Sequence, residues 1–71
     1  MKLPRDLSGQ RAVRALKRLG FIEERQEGSH IRLVRGSLRV IVPAHPALAP
    51  KTLQSILRQA QISVEELTAH L

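Results

Sequence analysis

The stretch from Gly28 to Gly36, Gly-Ser-His-Ile-Arg-Leu-Val-Arg-Gly, constrains this chain more than any other. Apolar and polar residues alternate between two glycine-containing turns. Alternation with a period of two is the mark of a half-buried strand. The strand is expected over Ser29 to Arg35. Glu27-Gly28 is short enough for a hairpin turn, because glycine can take the positive φ that such turns need. Gly36-Ser37 forms the next turn. A strand turned tightly at both ends has its two neighbours beside it, antiparallel.

The facing of side chains follows. Ile31 and Leu33 share one face; His30, Arg32 and Val34 share the other. In the third strand, Leu38 to Val42, residues Leu38, Val40 and Val42 point inward, and Arg39 and Ile41 outward. The first strand is read over Phe21 to Gln26. Its alternation is weak, which leaves the facing of Glu23, Glu24 and Arg25 open.

Helices bracket the strands. Ser8 is suited to cap a helix, since its hydroxyl can satisfy an unpaired N–H of the first turn. The helix is expected from Gly9 to Leu19, with Ala12, Val13, Leu16 and Leu19 on one stripe. Arg11, Arg14, Lys17 and Arg18 occupy the other side. Gly20 suits the left-handed C-terminal cap. Pro43 ends the sheet, and Pro43 to Pro50 is a proline-rich ordered loop. Pro50 opens a second helix with Leu53, Ile56, Leu57 and Ala60 as its apolar stripe. Ser63-Val64-Glu65-Glu66 matches a capping box and starts a short last helix.

The order is α-β-β-β-α plus a small terminal helix, an α+β protein. The 71 residues suffice for one domain, spanning 1–71. A domain this small buries only about 60% of the surface of its unfolded chain, so a deep catalytic cleft is not expected. With so few helices, one face of a three-stranded antiparallel sheet stays uncovered. That open face would carry His30, Arg32 and Arg39.

Composition narrows the function classes. The chain has no cysteine, which excludes disulfides and thiolate zinc sites. It has no apolar run long enough for a transmembrane helix, so no membrane partner is expected. The N-terminal residues lack the apolar core of a signal peptide, and a cytoplasmic location is the expectation. Net charge is +6, and nine of the twelve cations are arginine, the side chain pre-organised for bidentate phosphate contact. Such a balance points to a nucleic acid or an acidic protein partner, against the plain alternative of a solvated basic surface.

His30 is the candidate for chemistry. Metal-free RNA cleavage needs a base for the 2′-hydroxyl proton, cations for the phosphate, and an acid for the departing 5′-oxygen. An imidazole suits proton transfer because its unperturbed pKa, about 6.5, lies near working pH. Arg32 leaves the strand on the same face at roughly 7 Å of rise, as a phosphate clamp would. Arg25 and Arg39 lie on neighbouring strands, and the register decides which of them reaches the site. Gly28 forms the turn; Ser29 bonds either the turn backbone or the substrate. The rival reading is that His30 is an idle surface histidine. His45 is a candidate acid with nothing in the sequence to place it near His30, and a loop histidine tied to backbone is its plainer reading. His70 falls at a terminus expected to fray. The three histidines lack metal-ligand spacing, so neither a metal nor another cofactor is expected.

The chain also resembles a known family, the HicA (YcfA-like) mRNA interferase toxins. The resemblance rests on Ser8-Gly9, Leu19-Gly20-Phe21, Arg25-Gln26-Glu27-Gly28-Ser29-His30, Val42-Pro43-Ala44-His45, Lys51-Thr52-Leu53 and Ile56-Leu57-Arg58-Gln59-Ala60, in that order and spacing. It implies a double-stranded-RNA-binding-domain-like fold, cleavage of mRNA, and neutralisation by a HicB-type antitoxin in a hetero-oligomer. The family's functional histidine falls on His30, with Arg25, Gly28, Ser29, Arg32 and Arg39 as candidate RNA contacts. Glu27 stands where many relatives carry lysine.

The expected function is therefore the toxin of a toxin–antitoxin system, a metal-independent endoribonuclease with His30 as general base. A non-catalytic RNA-binding module using the same basic face is the alternative, and a pure protein-interaction domain is the third reading. A single phenylalanine, expected in the core, leaves no aromatic platform for reading bases. Binding dominated by phosphates and weakened by salt is the consequence.

Overall fold

The structure is a computed structural model, and it describes residues 3–71. The first two residues of the leader lie outside the described residues. The elements are α1 (Gly9–Arg18), β1 (Ile22–Glu27), β2 (His30–Arg35), β3 (Leu38–Pro43), α2 (Pro50–Ala60) and α3 (Val64–Ala69). The α-β-β-β-α-α order and the α+β class are those expected from the sequence.

The sheet is antiparallel, in the order β1-β2-β3. Both connections are two-residue turns, Gly28-Ser29 and Gly36-Ser37. The first turn is therefore one residue later than the expected Glu27-Gly28. Glu27 pairs with His30, so β1 extends through Glu27 and β2 starts at His30 rather than Ser29. The reason is the turn itself. Gly28 has φ of 57° and Gly36 has φ of 59°, which puts glycine at the first of two central positions in both hairpins.

β1 begins at Ile22, not Phe21. Phe21 instead closes α1: its N–H donates to the Leu16 carbonyl at 3.0 Å while the Gly20 N–H donates to Lys17 at 3.0 Å. That pair of bonds is a Schellman motif, with Gly20 left-handed. It drives the only aromatic side chain into the core, 2% exposed. The weak alternation of β1 has a cause as well. The register shifts by one residue between Glu23 and Arg25, a bulge at Glu24 that puts Ile22, Arg25 and Glu27 all on the open face.

The core lies between the helices and the other face. Ile31, Leu33, Val40 and Val42 meet Val13, Leu16, Leu53 and Ile56, each side chain 3% exposed or less. Fully burying one such side chain is worth about 1.5–3 kcal/mol, so a handful of them carries the fold. Leu7, Leu48 and Leu67, from the leader, the loop and α3, complete it. Ser8 caps α1 by accepting from Arg11 N at 3.1 Å. Ser63 and Glu66 form the reciprocal capping box of α3, both bonds 3.0 Å.

Hydrogen bonds tie the β3 edge and the loop after it to the rest of the molecule. The loop after β3 is pinned by Ala44 N to Ser29 O at 2.6 Å, Gly9 N to His45 O at 2.9 Å and Leu48 N to Leu7 O at 2.7 Å. Gly9 is where α1 meets this loop. A Cβ there would collide with the backbone carbonyl of Pro43 and lie 3.1 Å from Ala44 Cα, so only glycine fits. At the β3 edge, the Ile41 N–H donates to the Gln59 side chain of α2 at 2.9 Å, which covers one of the edge donors. Among the described residues, no helix is long and apolar enough to cross a membrane.

Candidate functional site

His30 is the first residue of β2, exposed, on the face of the sheet that no helix covers. Ile31 beside it is 1% exposed, so the pleat fixes the imidazole outward. The ladder then defines rows across the open face. His30 sits between Glu27 of β1 and Pro43 of β3. The next row is Arg25, Arg32 and Ile41, and the third is Ile22, Val34 and Arg39.

The candidate residues are thus only partly brought together. Arg32 and Arg25 occupy the row next to His30, one directly along its strand and one diagonally. Arg39 lies two rows away, roughly 14 Å along the strand direction, at the opposite end of the sheet. Gly28 and Ser29 form the turn that leads into His30. Ser29 uses its backbone carbonyl to hold Ala44.

Two of the three arginines of this face, Arg25 and Arg32, are paired with acids; Arg39 has no carboxylate within 4.0 Å among the described residues. Arg25 is paired with Glu27 at 2.8 Å, and Arg32 stands 4.0 Å from the carboxylate of the bulged Glu24. All four side chains are about a third exposed or more, where such pairs are worth little and exchange readily with a competing phosphate. Glu27 is the group directly across from the histidine. Ile22, 68% exposed, gives the far end of the same face an apolar spot.

His45 is nearer than the sequence alone suggests. The Ala44–Ser29 hydrogen bond continues the β2–β3 ladder past Pro43. His45 follows, exposed, at the same end of the sheet as His30, with its carbonyl bonded to Gly9 at the start of α1. A signal for this was available: a two-residue turn at Gly36-Ser37 fixes every later pairing, and counting outward sets His45 opposite Gly28. Arg35, by contrast, is used up by the fold. It lies 4.6 Å over the Phe21 ring and donates to Leu19 O at 2.7 Å. Among the described residues, no group of three or more potential ligands gathers as a metal site would.

The site thus offers one exposed imidazole beside a pair of guanidinium groups, at the lip of a hairpin. Residues 9–62 of this chain match the family described as HicA toxin of bacterial toxin-antitoxin. The chain belongs to the HicA toxin family. The match runs from the first residue of α1 to just past α2, so it takes in the whole sheet and the His30 turn. Membership makes this protein the toxin of a toxin–antitoxin pair and implies an antitoxin as its partner. No curated protein matches the chain.

Proposed function

We propose that this HicA-family toxin is a metal-independent endoribonuclease that cuts mRNA, with His30 as the general base. The observation that carries the reading is the position of His30: outward, unencumbered, on the open face, with Arg32 and Arg25 in the adjoining row. In the reaction, His30 takes the proton of a 2′-hydroxyl. That oxygen attacks the neighbouring phosphorus, the bond to the 5′-oxygen breaks, and the departing oxygen takes a proton from an acid or from water. Arg32, and Arg25 once Glu27 releases it, hold the non-bridging oxygens as charge builds on them. His45, in the loop that follows β3 at the His30 end of the sheet, is the candidate for that acid.

The partner in this reading is a HicB-type antitoxin that covers the open face. The apolar spot at Ile22 and the half-buried Val34 and Ile41 give such a protein something to dock on besides charge. One observation favours the non-catalytic alternative. The Arg25–Glu27 pair offsets positive charge next to the histidine, which suits holding RNA loosely more than cutting it fast.

Incubating purified protein with RNA in EDTA separates these readings. Cleavage products ending in 2′,3′-cyclic phosphate are expected from the wild type, with His30→Ala inert. A 2′-deoxy substitution at the cut position should block the reaction. Undiminished cleavage by His30→Ala would remove the histidine from the mechanism; binding with no cleavage by the wild type would leave an RNA-binding module.

A further inference from the structure

The strongest unneutralised charge on the molecule is not on the open face. Arg11, Arg14 and Arg18 project from the outer side of α1, where residues three and four apart stack into a column. Among the described residues none of the three has a carboxylate within 4.0 Å, whereas Lys17 on the same helix is paired with Glu23 at 3.2 Å. On the open face Arg25 and Arg32 are paired with Glu27 and Glu24, which leaves Arg39 alone unpaired there among the described residues; the α1 column sets three unpaired guanidinium groups side by side.

The three guanidinium groups border a shallow open depression of about 120 Å³ closed on its other side by His70 and Leu71. Its wall is built. Arg18 donates to the His70 carbonyl at 2.8 Å, and the His70 ring is held through Nδ1 on the Glu66 carbonyl at 2.8 Å. His70 is the C-cap of α3, with its carbonyl and its ring both hydrogen-bonded. The lining of the depression is mostly polar and it is shallow, so it lacks the buried apolar anchor that a protein interface is organised around. Guanidinium groups in a row match successive phosphates instead.

We propose that the α1 column is a second phosphate-binding track for the RNA that is cut at His30. The inference rests on the ribonuclease reading for its ligand, but it concerns binding and not cleavage. The track is joined to the site. From Arg18 to Arg11 the column runs about 10.5 Å along the helix. Two residues further on, Gly9 bonds His45, and Ala44 bonds Ser29 next to His30. An RNA strand lying along α1 is thereby led to the end of the molecule that carries the histidine. The track supplies affinity that the Glu27-neutralised face lacks, and it reads no base, because guanidinium-to-phosphate contacts carry no sequence information.

The test is fluorescence anisotropy of a labelled 2′-O-methyl RNA strand, which the protein binds but cannot cut, across a series of salt concentrations. R11Q/R14Q/R18Q should weaken binding about tenfold or more at low salt and make the plot of log affinity against log salt shallower by about 2. R11Q/R14Q, which keeps the Arg18–His70 bond, should show about two thirds of that change in slope. Thermal melting should show both variants folded. K51Q/R58Q, a loss of two cations from α2, should leave the slope nearly unchanged.

An unaltered slope in the triple variant overturns the track. So does an equal loss in K51Q/R58Q, which would mean diffuse attraction, and so does binding of inorganic pyrophosphate that RNA does not displace. RNA binding unchanged in the triple variant together with lost retention of the antitoxin would make the column a protein interface instead. Wild-type protein that binds unmodified RNA without cutting it overturns the ribonuclease reading and leaves the track standing.

Discussion

The two hairpins of this protein are built from the same turn and end in different uses. Gly28-Ser29 and Gly36-Ser37 each join two strands through two residues, with nearly equal positive φ at the glycine. Neither glycine has any atom within 4 Å of where a Cβ would be, so neither turn is shaped by close packing. What differs is the residue on each side. The first turn is flanked by Glu27 and His30, both exposed, and by a loop that brings His45 alongside. The second is flanked by Arg35 and Leu38, both half-buried, with Arg35 folded back over Phe21 and onto the end of α1. One end of the sheet is thus left open for a ligand, and the other is sealed against the helices. Turn chemistry sets the path of the chain; function depends on whether the flanking side chains still have solvent in front of them.

The comparison can be broken most sharply at His30. His30→Ala should lower RNA cleavage by about 10²–10⁴-fold with the melting temperature unmoved, since the side chain is exposed and makes no bond that the fold needs. Loss of stability without loss of cleavage would reverse the assignment of the two ends. At the sealed end, Arg35→Ala should cost about 1.5–3 kcal/mol by urea denaturation, from a charged hydrogen bond and a ring contact, and leave RNA affinity unchanged.

The glycines make the contrast finer. Gly28→Ala and Gly36→Ala should each destabilise by about 1–2 kcal/mol, the cost of a left-handed Cβ, and by nearly the same amount. Only Gly28→Ala should also reduce cleavage, because only that turn carries the histidine. Equal loss of activity in both would mean that the site depends on the sheet as a whole. Glu27→Lys is the mildest change. It frees Arg25 and adds a cation opposite His30, so single-stranded RNA should bind more tightly at low salt, with a salt slope steeper by about 1. Its stability should stay within about 0.5 kcal/mol of wild type, as exposed pairs contribute little.

Much of this was legible before any coordinates. The alternation of Ile31, Leu33, Val40 and Val42 named the buried face, and therefore placed His30, Arg32 and Arg39 on the other. The caps at Ser8, Gly20 and Ser63 marked helix ends to within a residue. The one-residue error at the first turn came from reading glycine as the second central residue, when the repeated Gly-Ser pair points to the first. Leu19 packs against the core from the edge of the stripe, half-buried, and is also the C-cap of α1. The bulge at Glu24 left no period to read, and it decides that Arg25 shares the face of His30.

The sequence by itself determined the class of fold, the strand faces and the one histidine on the uncovered side, because these follow from local periodicity and turn chemistry, which act over a few residues. Only the tertiary structure decided which charges remain available. Arg25 and Arg32 meet glutamates, Arg35 meets Phe21, and among the described residues Arg11, Arg14 and Arg18 have no carboxylate within 4.0 Å. Pairing of that kind joins residues on different strands and helices, and a charge's partners are set by distance in space, which composition and spacing along the chain do not encode.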